Sequence, residues 1–182
     1  MKTALLIIDI QNDYFPGGKM ELEGAEQAGM NAQRLLSLFR NNSLPLFHIQ
    51  HFSTKPSATF FIPGTPGVEI NECVRPAENE LIIKKNFPNS FRDTDLLGEL
   101  KAAGISDLII TGMMTHMCID ATTRAAFDFR FNCTVVNDAC ATRALTLGGS
   151  AVTADNVHKA FLAALGSVYA KILTTEEVTK AY

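Results

Sequence analysis

The sequence predicts a three-layer α/β/α domain built on a parallel sheet. Three observations predict it. Short, wholly apolar runs such as LLII at 5–8 and LIIT at 108–111 need cover on both faces, as strands of a parallel sheet do. These runs alternate with stretches in helical spacing, which implies parallel pairing through right-handed crossovers. With 182 residues, 47% of them hydrophobic, the chain can bury a substantial core, and no repeat or linker divides residues 1–182 into more than a single domain.

Residues 3–8, TALLII, form the first strand, and Pro16, Gly17 and Gly18 mark a turn beyond it. Across 25–41, Ala28, Leu35, Leu36 and Phe39 share one helical face. Residues 44–50, LPLFHIQ, read as the second strand. The segment 53–79 carries Pro56, Pro63, Gly64, Pro66, Gly67 and Pro76; such long irregular segments are usually functional or mobile. Residues 80–84 form the third strand, and a helix from Asp93 to Ala103 stops at Gly104. Asp107 to Thr111 is the fourth strand, followed by a helix over 116–130 with Thr115 as candidate N-cap. Cys133 to Asn137 is the fifth strand, and 152–165 is an amphipathic helix facing inward through Val157, Phe161, Leu162 and Leu165. Lys171 to Leu173 is a short sixth strand, and Thr174 with Glu177 matches a capping box for a terminal helix.

Charge and composition exclude several classes. The net charge is -3 with no block of Lys or Arg, so neither a nucleic-acid nor an anionic-membrane footprint is present. The opening apolar run is interrupted by Asp9, is too short for a secretory core, and no later run reaches the ~18 apolar residues of a membrane span. A cytoplasmic protein is expected. Cys73, Cys118, Cys133 and Cys140 form no CxxC pair, and a chain with its own core needs no disulfide staples, so free thiols in a reducing compartment are expected.

Asp9, Lys85 and Cys118 each follow an apolar run. Open α/β sheets bind ligands at the carboxyl ends of their strands, so this placement points to nucleophilic attack on a carbonyl. Cys118 falls near a helix start, where unpaired N–H groups and the helix dipole lower a thiol pKa; a buried structural cysteine is the competing reading. Asp9 reads as a general base, or as a carboxylate accepting backbone hydrogen bonds at a strand end. One of Lys84 and Lys85 reads as a solvated edge charge, the other as the cation that keeps Asp9 ionised. The turn in GMMTHMC either aims the N–H groups of Met114 and Cys118 at an oxyanion or is an ordinary loop. Tyr14, Phe60 and Phe61 are pocket walls or loop anchors, and His116 is a substrate contact or an exposed first-turn residue. His48 and His51, three apart at a strand, need not face one side and read as surface or packing histidines. No metal and no cofactor is expected.

Three separated motifs carry a resemblance. The opening matches D-x-Q-N-D through Asp9, Gln11, Asn12 and Asp13. Lys85 is followed six residues later by Phe91 and then by Thr94 and Leu96, and GMMTHMCIDAT matches G-x-x-T-x-x-C-V-x-x-T with Ile119 at the Val position. Together they resemble the isochorismatase-like cysteine hydrolase superfamily, which includes nicotinamidases, N-carbamoylsarcosine amidase and isochorismatases. The resemblance implies a six-stranded parallel sheet in the order 3-2-1-4-5-6, a triad of Asp9, Lys85 and Cys118, and a cis peptide between Met113 and Met114. It implies Met114 and Cys118 as the oxyanion hole, Gln11 beside the pocket, a small-molecule substrate cleaved at a C–N bond, and a homodimer or tetramer. Nicotinamidases carry a D-x-H metal cluster where this chain has HIQHFST, which makes nicotinamide a poorer fit. The alternatives are cleavage of a vinyl ether relying on Asp9, and a non-catalytic small-molecule-binding member of the fold.

Overall fold

Side chains alternate across the two central strands, and that alternation sets the layers. In the computed structural model, which describes residues 2–181, β1 is Thr3–Ile8, α1 Ala25–Asn41, β2 Leu46–His51, β3 Leu81–Lys85, α2 Leu96–Ala102 and β4 Asp107–Met113. There follow α3 Asp120–Asp128, β5 Asn132–Ala141, β6 Leu145–Leu147, β7 Ser150–Val152, α4 Ala154–Val168, β8 Ala170–Leu173 and α5 Thr175–Thr179. Met1 and Tyr182, the ends of the expected domain, lie outside the described residues.

Leu5 and Ile7 of β1, with Ile109 and Met113 of β4, pack on the side of α1 and α5, against Ala28, Ala32, Leu35, Leu36, Phe39 and Val178. Leu6, Ile8, Leu108 and Ile110 face the other way, onto Leu96, Leu100, Ala126, Leu162 and Leu165 of α2, α3 and α4. The sheet runs β3-β2-β1-β4-β5-β8, parallel throughout. The chain steps outward from β1 in one direction and from β4 in the other, so the order reverses between these neighbours. Open α/β sheets bind ligands at such a reversal, which here lies beyond Ile8 and its partner Gly112. A Cβ on Gly112 would lie 1.9 Å from the Ile8 carbonyl oxygen, at a φ of 130° that side chains rarely adopt, so glycine alone permits this approach.

Several elements differ from expectation. The sixth strand of the sheet is the eighth of the chain, because a hairpin of β6 and β7 turns through Gly148 and Gly149, both at positive φ. The Gly-Gly pair between two short runs was its sequence signal. β5 continues to Ala141: after a register shift, Cys140 and Ala141 pair with Gly112 and Met113. This extension explains why Thr115 is not an N-cap. It is buried, and its hydroxyl donates to the Ala141 carbonyl at 3.3 Å and lies 2.8 Å from His158 Nδ1. The expected helix over 116–130 therefore opens as a π turn at Thr115–Ile119 and becomes α-helical at Asp120. The helix expected from Asp93 starts at Leu96, since Asp93 sits at a φ of 56°. At the C-terminus, the Thr174–Glu177 capping box forms in both directions.

Candidate active site

Three strand ends bring the predicted residues together. Asp9 follows β1 at a φ of 52°, and its N–H donates to the Ile49 carbonyl at 3.0 Å. Lys85 is the last residue of the edge strand β3; it points inward while Lys84 points to solvent, as strand alternation requires. Cys118 lies in the π turn after β4. The Lys85 side chain spans the width of β2 to reach β1. Its Nζ donates to Asp9 Oδ2 at 2.6 Å, His51 Nδ1 at 2.9 Å, the Phe87 carbonyl at 3.1 Å and Cys118 Sγ at 3.3 Å. Four acceptors thus share three protons. An ammonium has no lone pair, so His51 Nδ1 must accept and its ring proton belongs on Nε2. The second carboxylate oxygen, Asp9 Oδ1, is buried without a hydrogen-bond partner. The peptide between Met113 and Met114 is cis.

The electrostatics follow from burial. Burial works against the Lys85 ammonium, but Asp9 and Cys118 outweigh it and the pKa ends above its usual value. Burial, then the Lys85 charge, lowers His51 to about 4 against a smaller opposing effect of Asp9, so its imidazole is neutral at pH 7. Burial, then the Asp9 carboxylate, pushes the Cys118 thiol up despite Lys85. This corrects the sequence expectation of a lowered thiol pKa. Cys118 is 4% exposed in a π turn, and desolvation outweighs any helix-terminus effect. Burial therefore works against a thiolate at Cys118.

Other candidates resolve differently. Gln11 does not face a pocket: it is fully buried, and its amide donates to the carbonyls of His51 (2.9 Å) and Val68 (2.7 Å) while accepting from the His51 N–H (2.8 Å). These three bonds staple the 53–79 segment to the end of β2. Asp13 does the same work, accepting from the N–H groups of Phe61 (2.6 Å) and Lys19 (3.1 Å). Tyr14 and Phe61 are buried with ring centroids 4.7 Å apart, and the half-buried Phe60 packs on both. Phe61 is thereby a loop anchor. The Tyr14 hydroxyl pKa is raised, first by burial and then by the neighbouring Cys118 and Asp9. His116 is half-buried with Nδ1 2.5 Å from the Thr142 hydroxyl and its ring on Phe161, so it turns toward α4.

His48 is a packing histidine, as expected, with Nε2 2.9 Å from Glu80, which also holds Arg40. His51 is not; sequence reasoning missed it as a member of the cluster. Its signal was position: it ends β2, the neighbour of β1, at the same sheet edge as Asp9. Donor atoms of Asp9, His51 and Cys118 all lie within 4.8 Å of one another, a spacing that suits a metal ion. The Lys85 ammonium sits among them within hydrogen-bond distance of each, so it fills the place of a cation and the set does not fit a metal. A cavity of about 400 Å³ opens beyond the aromatic cluster, between Lys19, Phe60 and Gly67. Another of about 320 Å³ lies at the exit of β5, lined by Asp138, Thr142 and His158.

A thiol, a carboxylate and an ammonium thus converge at the reversal point of a parallel α/β/α sheet. The isochorismatase domain matches residues 3–177, and the chain belongs to that family, whose members are hydrolases. It is 54% identical over 180 residues to the uncharacterized isochorismatase family protein YddQ of Bacillus subtilis (strain 168), covering 99% of this chain and 100% of that protein. The crystal structure of a provisionally assigned isochorismatase hydrolase from Oleispira antarctica superposes with a TM-score of 0.95 at 46% identity, covering 98% of this chain and 96% of the other. A nicotinamidase from Acinetobacter baylyi is 28% identical over 181 residues, covering 81% of this chain and 84% of the relative.

Proposed function

We propose that the protein hydrolyses a C–N bond of amide, imide or ureido type in a small molecule, through a thioester on Cys118. One observation carries the reading: Lys85 Nζ bridges Asp9 Oδ2 and Cys118 Sγ, while Asp9 Oδ1 is left buried with no partner. The free oxygen is the proton acceptor. As substrate binds, Oδ1 takes the thiol proton and the sulfur adds to the carbonyl carbon. The carbonyl oxygen becomes an oxyanion, held by the N–H groups of Met114 and Cys118. Asp9 returns the proton to the nitrogen as the C–N bond breaks, releasing ammonia, an amine or, from an imide or acylurea, the amide or urea. Asp9 then takes a proton from water, the hydroxide adds to the thioester, and the C–S bond breaks. The departing sulfur recovers the proton and a carboxylic or carbamic acid leaves. Lys85 gains a stronger acceptor each time the sulfur turns anionic, so its contact to Sγ strengthens along the reaction coordinate. Similarity to a nicotinamidase, an amidase by name, supports the reading.

The test is hydrolysis of a panel of small amides, ureas and imides by the wild type and by Cys118→Ala, read as ammonia from the amides and ureas and as new carboxylic acid from the imides. The variant should lose turnover by about 10³-fold or more with an unchanged melting curve. Full activity in Cys118→Ala removes the thiol from the mechanism. Consumption of isochorismate with no ammonia from any amide replaces the reading by ether cleavage relying on Asp9.

A further inference from the structure

The chemistry just described leaves His51 without a task. Its Nδ1 is committed to Lys85. Its Nε2 has no hydrogen-bond partner among the described residues, yet it is not sealed as His48 Nδ1 is. The side chain is 15% exposed, whereas those of Asp9 and Lys85 are 0% exposed, so the imidazole is where this cluster meets solvent. Phe61 packs against the ring at 5.8 Å and, with the Nδ1 contact, fixes the direction of the Nε2–H. A ring nitrogen of His51 lies within 4.8 Å of both the Cys118 sulfur and an Asp9 oxygen. A substrate whose carbonyl carbon is bonded to that sulfur therefore has the imidazole within reach of its next few atoms.

We propose that His51 is a specificity-determining residue whose Nε2–H donates to an oxygen acceptor that the substrate carries two or three bonds from the scissile carbonyl. The inference rests on the C–N hydrolase reading and narrows it. The substrate class becomes amides with a neighbouring carbonyl, such as β-keto amides, acylureas and imides, in place of plain alkyl amides. A plain amide would cover the donor without pairing it, and an unpaired, desolvated donor costs binding. The ring is neutral at pH 7, so it recognises an oxygen by hydrogen bonding and not by charge.

Acetoacetamide and butyramide test this, since they match in length and differ only in a keto oxygen. Ammonia release gives kcat and KM for the wild type, His51→Phe and His51→Gln, with melting curves to confirm folding. The wild type should favour acetoacetamide by about 10- to 100-fold in kcat/KM. His51→Phe, which keeps the packing on Phe61, should level that preference chiefly through KM, and His51→Gln, with an amide N–H in reach, should keep part of it. If both variants slow the two amides equally and the preference survives, His51 only holds Lys85 and the proposal is overturned. Equal use of both amides by the wild type, or use of butyramide alone, overturns it while C–N hydrolysis stands. Turnover of neither amide, nor of any member of the wider panel, removes the hydrolase reading and this inference together.

Discussion

Replacing Lys85 by Met keeps the length of the side chain and deletes its charge. The structure sets the size of the effect. Lys85 Nζ and Asp9 Oδ2 are 2.6 Å apart, and neither side chain touches solvent. At an effective dielectric of ~20, unit charges at that distance attract by about 6 kcal/mol. Desolvation of both groups cancels much of this, so the intact pair adds little net stability. Breaking it is another matter: a buried carboxylate is stranded with both oxygens unpaired, at a cost of about 3–5 kcal/mol. That is a large share of the roughly 5–15 kcal/mol that holds a domain folded. Adding Asp9→Asn removes the stranded charge. The double variant should therefore recover at least half of the loss, although each single change is destabilising. Urea denaturation at pH 7, with the slope checked for constancy across variants, measures all four corners of the cycle. Additive losses, or a Lys85→Met protein within 1 kcal/mol of the wild type, would refute the claim of a dry, mutually dependent pair.

Acid should destabilise the fold before it reaches the carboxylate range. Burial lowers His48, and lowers His51 from 6.5 to about 4, so the unfolded chain binds more protons between those values. The contribution is complete above pH 6.5 and is lost as pH falls toward 4, about 3 kcal/mol for His51 alone; urea midpoints that stay flat from pH 7 to pH 4.5 contradict it. Gln11→Leu removes three hydrogen bonds and should cost about 2–4 kcal/mol, with new protease cuts within residues 53–79 seen by mass spectrometry. Gly112→Ala should yield no folded soluble protein, because its Cβ would meet the Ile8 backbone at 1.9 Å; a native circular dichroism spectrum would disprove that. Iodoacetamide should label Cys118 more slowly than a free cysteine at pH 7, since the sulfur is buried and its pKa is raised. Rapid labelling, read by intact mass, would mean a resting thiolate.

The layered sheet was legible because its strands are apolar on both faces, and α1 because its apolar positions repeat with helical period over all of residues 25–41. The β6–β7 hairpin escaped because its two strands are only three residues each and largely exposed, leaving no buried face to mark them. Thr115 illustrates a different loss. Its position before a helix is a capping signal, yet the extension of β5 buries it and redirects its hydroxyl to Ala141.

By itself the sequence determined which residues sit at strand ends, since periods of 2 and 3.6 are local properties of the chain. Asp9, Lys85 and Cys118 could be singled out on that ground, aided by the spacing around them. Only the tertiary structure decided what surrounds each one. It brought His51 onto the Lys85 ammonium, spent Gln11 on backbone groups, left one oxygen of Asp9 unpaired and reversed the expected shift of the Cys118 thiol. Desolvation and hydrogen-bond partners come from atoms dozens of positions away along the chain, and no local pattern encodes which of them will arrive.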